Sequence, residues 1–158
     1  MAIEVRKAIS AVWKKSAKLS ATWGVIVGAL SIIMNAIAIY SVTIILLIIT
    51  IGLSLLVPII IGFLITKSSA QNNKIELKPA AINGAASGIV YAIVMIAISL
   101  FFIVINYLIS ALLWGEIEIL GEGILVVIAT ILLGLPVLAI IGIITGAIGG
   151  AIYSSIKK

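Results

Sequence analysis

Four long apolar stretches, over about residues 20–39, 42–66, 80–109 and 124–154, alternate with short polar or charged segments along this chain. Each reaches or exceeds the ~20 apolar residues needed to cross a hydrocarbon core of about 30 Å. The pattern predicts an all-α integral membrane protein, with four transmembrane helices arranged as two hairpins. The third and fourth stretches are the longest. At 1.5 Å per residue their ~30 residues give about 45 Å, so they tilt or their ends protrude. Pro58 lies midway along the second stretch and Pro136 within the fourth. Proline removes a helix hydrogen bond, and a kink is expected near Pro58.

Residues 3–18 follow another pattern. On a helical wheel Glu4, Lys7, Lys14, Lys15 and Lys18 share one face, Val5, Ile9, Val12 and Leu19 take the opposite one, and Arg6 sits apart. This predicts an amphipathic N-terminal interfacial helix over 1–18, cationic on its polar face, ahead of a four-helix domain over 19–158. Trp13 and Trp23 suit the headgroup level. The alternative is a solvated basic lead-in that only sets orientation. A basic start, an apolar run and Ala36-Ile37-Ala38 also resemble the three parts of a signal peptide. Cleavage there would leave an odd number of spans and oppose the charge bias of the loop at 67–78, so the first stretch is read as retained.

Small residues recur at helical spacing. Gly24 and Gly28, then Gly84, Gly88 and Ala92, then Gly142, Gly146 and Gly150 fall four apart. Each glycine in a helix interior costs about 1 kcal/mol against alanine. In lipid that cost is tolerated where a neighbour packs on the backbone, because hydrophobicity cannot draw helices together there. These eight residues are the candidate helix-packing positions, within the chain or between copies. The two hairpins also overlay, with Gly24 and Gly28 on Gly84 and Gly88, Pro58 on Pro136, and Gly62 on Gly142. That is either a parallel duplication or the easy self-matching of Gly/Ala/Ile-rich sequence.

Composition agrees: 64% hydrophobic and 9% charged residues in 158 lie outside soluble-globular usage. The charges carry topology. Arg6, Lys7, Lys14, Lys15, Lys18, Lys67, Lys74, Lys78, Lys157 and Lys158 fall in the N-terminal segment, one loop and the C-terminus. Four spans put all of them on one side, and excess Lys and Arg mark the cytoplasmic face. A multi-pass cell-membrane protein with cytoplasmic N- and C-termini is expected. Its partners are then the lipid bilayer and anionic headgroups, with Lys7, Lys14, Lys15 and Lys18 at the membrane surface, rather than nucleic acid. The segment Ser110 to Gly123 holds Glu116, Glu118 and Glu122 on the outer side, as a strand-like turn or a short interfacial helix anchored by Trp114. Carboxylates could take a divalent cation, but this set matches known cation loops poorly, and a solvated loop is expected.

Cysteine, histidine and aspartate are absent. Thiol chemistry, imidazole-based zinc or haem sites and the Ser-His-Asp constellation are therefore excluded from this chain alone. No enzyme activity, metal or cofactor is expected. Asn35, Asn83 and Asn106 lie within or at the edge of the stretches. A neutral amide there commonly hydrogen-bonds a neighbouring helix. No Glu, Lys or Arg falls mid-stretch, which removes the usual residues of a proton relay or ion-coupled site. The expected role is a structural or accessory membrane protein that packs or oligomerises through its Gly-xxx-Gly faces, as a homo-oligomer or in a larger membrane complex. The alternative is a small transporter or channel with helices broken at Pro58 and Pro136.

The Asn83-Gly84-Ala85-Ala86-Ser87-Gly88 start after a basic loop, with Gly142-Ile-Ile-Thr-Gly146-Ala-Ile-Gly149-Gly150, resembles small archaeal Gly/Ala-rich four-span membrane proteins of unknown function. The likeness covers the third and fourth stretches well and the first two by length and hydropathy. The chain departs from that pattern in its long basic N-terminal segment and its sparse glycine in the second stretch. The resemblance implies a prokaryotic cell-membrane location and no known ligand or catalytic residue.

Overall fold

In a computed structural model that describes residues 2–37, 40–70, 74–114 and 118–157, every element is helical. The elements are α1 (Ala2–Ile37), α2 (Tyr40–Ser69), α3 (Leu77–Trp114), α4 (Glu118–Ala129), a π turn (Thr130–Gly134) and α5 (Leu135–Ile156). Among the described residues, two helical segments are long and apolar enough to cross a membrane, Leu77–Ile109 and Gly123–Ile156, and Ser54–Ser69 is a shorter apolar stretch. Proline suits the first helical turn, where a missing N–H leaves no bond unmade, and Pro79 accordingly falls in the first turn of α3.

Helix α3 is the centre. It packs against α1, α2, α4 and α5, while α5 packs against α2 and α3; among the described residues α1 makes no helix–helix packing with α4 or α5. Burial concentrates at the end where α2 stops and α3 starts, the basic end. Ile61, Ile65, Ala86, Val90, Tyr91 and Met95 are buried there. Towards the other end large apolar side chains become exposed, from Phe101 on α3 to Leu132 and Leu133 in the π turn.

The structure refines three sequence expectations. The first is the N-terminal segment, expected as a separate helix over 1–18. One uninterrupted helix covers 2–37, and Val12, Ser16, Ser20, Gly24 and Gly28 form a buried line at four-residue spacing. The line of small residues through Gly24 and Gly28 continues backwards as Ser20 and Ser16 to Val12, so this part of α1 packs in the bundle. Trp23, expected at headgroup level, packs part-buried against the core cluster of Val12, Ile61 and Tyr91.

The second concerns the prolines. Helix α2 runs through Pro58, which is fully buried. The fourth stretch is the one interrupted: a π turn precedes Pro136, which stands at the start of α5. Pro136 has no N–H for the carbonyl of Leu132, the position a regular α-turn would bond. The third concerns the acidic outer segment, expected as a strand-like turn or a short helix anchored by Trp114. Helix α3 extends to Trp114 and α4 begins at Glu118, so the described part of the segment is helical. Glu116, and the side chains of Glu118, Glu122, Asn35 and Lys7, lie outside the described residues.

Candidate functional site

The glycines of α3 and α5 meet backbone to backbone. A Cβ built on Gly84 would fall on the carbonyl oxygen of Gly146, and one on Gly88 on that of Gly142. The reverse holds too, with Gly142 facing the Gly88 carbonyl, Gly146 that of Gly84, and Gly150 that of Ala80. Antiparallel helices with a period of four therefore interlock in register, each glycine removing the side chain that would hold its partner away. Ala92 is buried next on the same α3 line.

Helix α2 joins the same node through two glycines that the four-residue spacing did not single out. A Cβ on Gly62 would meet the Gly146 carbonyl, and one on Gly149 the carbonyl of Ile59 and, at 2.9 Å, the amide nitrogen of Phe63. Gly149 follows Gly146 by three, which turns the glycine surface of α5 from α3 towards α2. Tyr153, one turn further on, meets Phe63 edge-on at 5.5 Å between ring centroids.

Gly24 and Gly28 behave differently. A Cβ on Gly24 would lie 2.6 Å from Ile98 Cδ1 and 3.2 Å from Met95 Sδ, and one on Gly28 would enter the Phe102 ring. These two glycines admit large side chains of α3, not its backbone. The hairpins superimposed in sequence are thus packed by different means.

Buried hydroxyls tie the node together. Ser16 Oγ donates to the Ser87 carbonyl at 3.0 Å, and Ser87 Oγ donates to that of Gly84 at 2.7 Å. Thr66 Oγ1 donates to the Ala80 carbonyl at 3.3 Å, as Tyr91 OH does to that of Ser54 at 3.3 Å. Between helices, as for Ser16, Thr66 and Tyr91, such bonds are worth about 0.6–2 kcal/mol each. Ser20 Oγ and Trp23 Nε1, three residues apart on α1, are buried with no hydrogen-bond partner among the described residues.

Of the basic residues expected at a membrane surface, Lys14, Lys15 and Lys18 are exposed, and Lys15 Nζ donates to Ser68 Oγ at 2.8 Å. Asn83 is half-buried, and Asn106 lines a cavity of about 250 Å³ between α1 and α3 with Gly24, Gly28, Ser99 and Phe102. Among the described residues no three or more acidic side chains cluster to hold a metal. No family model, curated protein or solved structure matches this chain.

Proposed function

We propose that this chain is a four-span protein of the cell membrane with a structural or accessory role, built around a glycine-packed bundle. The observation that carries this reading is the exposure of the fourth stretch. Ile124, Leu125, Val126, Ile128, Ile131, Leu132 and Leu133 are all exposed. At about 100° per residue they occupy every side of the helix but the one turned to α3. A helix apolar all round belongs in a core or in lipid, and among the described residues only α3 packs against the stretch from α4 through the π turn. In water the penalty would be about 25 cal/mol for each Å² of that surface.

The accessory role is supported by the interior. Every described Lys and Glu side chain is exposed, and the hydroxyls of Ser16, Thr66, Ser87 and Ser154 are given to backbone carbonyls. The glycine ridges face one another within the chain, so a second copy or a larger complex would engage other surfaces. A second reading, a small transporter or channel, is favoured by the π turn and Pro136 in the fourth stretch, since broken helices often mark a midplane site. Ion or solute flux in proteoliposomes separates the two, and none is expected for the accessory protein.

The topology test is direct. The protein should stay in the membrane through alkaline carbonate washing. A reporter fused after Lys158 or inserted near Gln71 should read cytoplasmic, and one near Glu118 external. An external reading at Gln71 would refute the four-span arrangement.

A further inference from the structure

At the basic end the non-helical segment 74–76 and the start of α3 lie against the last turn of α5, forming an open cup of about 590 Å³. Its wall is tied down by Ser154, whose Oγ donates to the Ile75 carbonyl at 3.0 Å. Lys74 and Lys157 line it, and Glu76 is the acidic residue among its lining groups. All three are exposed, as is the nearby Lys78. The cup therefore carries net positive charge. The start of α3 and the end of α5 bring opposite dipole ends to it, so the lysines carry that charge.

An apolar track leaves the cup along α5. Ser155 lines the cavity, and Ile152, Ile148 and Ile144 precede it by three, seven and eleven residues, which places all four on one helix face. The three isoleucines are 41%, 45% and 55% exposed. From Ser155 to Ile144 the track is about 17 Å long at 1.5 Å per residue. Leu77, which also lines the cup, is 59% exposed. A cationic cup opening onto an apolar track is complementary to an amphiphile with an anionic head. A free phosphate would use the lysines and leave the isoleucines idle.

We propose that this cup is a site for the phosphate of an anionic phospholipid, with Lys74 and Lys157 on the headgroup and an acyl chain along Ile152, Ile148 and Ile144. The proposal rests on the membrane reading above. It assigns a discrete site, whereas the basic face of α1 implies only diffuse attraction to a charged surface.

The test uses full-length protein in neutral detergent, titrated with phosphatidylglycerol or phosphatidylcholine, with bound lipid counted by native mass spectrometry. Wild type should retain phosphatidylglycerol in preference to phosphatidylcholine. Lys74→Gln and Lys157→Gln should each weaken that retention about fivefold, the effect of one lysine beside an anionic headgroup. Ile148→Ser should weaken both lipids alike. Lys67→Gln removes the same charge from the same end outside the cup and should leave retention unchanged. Equal loss in Lys67→Gln would reduce the effect to diffuse attraction and overturn the site, as would equal retention of the two lipids. Inorganic phosphate that displaces phosphatidylglycerol at comparable concentration would assign the cup to a free anion and overturn the lipid. A chain that stayed soluble without detergent would instead refute the membrane reading, which keeps the two failures apart.

Discussion

Gly146→Leu is expected to be among the most destabilising single substitutions in the bundle. Gly146 is where three helices meet: Gly62 of α2 and Gly84 of α3 both face its carbonyl, and its own Cα faces the Gly84 carbonyl. A leucine there meets the backbone of α3 at Gly84 and Gly88, and backbone cannot change rotamer. Relief requires α3 and α5 to separate, which also opens the Gly88–Gly142 and Ala80–Gly150 contacts. Overpacking typically costs about 1–3 kcal/mol and occasionally more, and this site belongs at the upper limit or above. At roughly 2–4 °C per kcal/mol for a chain of this size, the midpoint should fall by about 10 °C in mild detergent. Gly88→Leu should behave likewise. Gly28→Leu should cost less, because its obstacle is the Phe102 ring, which has other rotamers. Gly52 has nothing within 4 Å of a built Cβ, so Gly52→Ala should be silent or gain up to about 1 kcal/mol of helix propensity. Thermal unfolding with size-exclusion profiles of the variants decides. If Gly146→Leu alters oligomer size while the monomer keeps its stability, the ridge lies between subunits and the intrachain node is wrong.

What could be read in the sequence was what depends on spacing along one helix. Gly84 and Gly88, like Gly142, Gly146 and Gly150, stand out because four residues nearly complete a turn, so each set makes one face whatever it meets. The partner of a face is a property of two helices, and spacing alone is silent on it. That is why Gly24 and Gly28, with the same spacing as Gly84 and Gly88, turned out to receive the side chains of Ile98 and Phe102. Gly62 does not stand out because no glycine lies one turn from it in α2, and Gly149 because it breaks the period of four. Both are needed where α5 faces two neighbours at once. The packed line of the N-terminal segment is hard to read for a related reason. Its lysines give a polar face, but Val12, Ser16 and Ser20 form a slim line that fits a helix neighbour as well as a bilayer surface. An amphipathic wheel does not distinguish these two settings.

The π turn gives the second large effect, a contrast between two single-residue deletions. A π turn closes its hydrogen bonds from i to i+5, so it holds one more residue than an α-turn. Removing Leu133 should let Thr130–Gly134 relax to α-helix while α4 and α5 keep their present faces. Little packing would be lost, since Leu133 is 70% exposed and a Cβ at Gly134 would meet only ordinary contacts, Ile96 Cδ1 at 3.6 Å being the nearest. Removing Ala147 should do the opposite. Everything beyond it would rotate by about 100° relative to Gly142 and Gly146. Gly150 would leave the Ala80 carbonyl and Gly149 that of Ile59, Tyr153 would leave Phe63, and Ser154 would leave Ile75. No single turn of α5 can absorb that rotation, because glycine contacts lie on both sides of the cut. The Leu133 deletion should therefore unfold within a few degrees of wild type in detergent, and the Ala147 deletion should fail to give a monodisperse folded species. Comparable stability of the two deletions would mean that the π turn is no spare residue and that α5 is not held in register by its glycines.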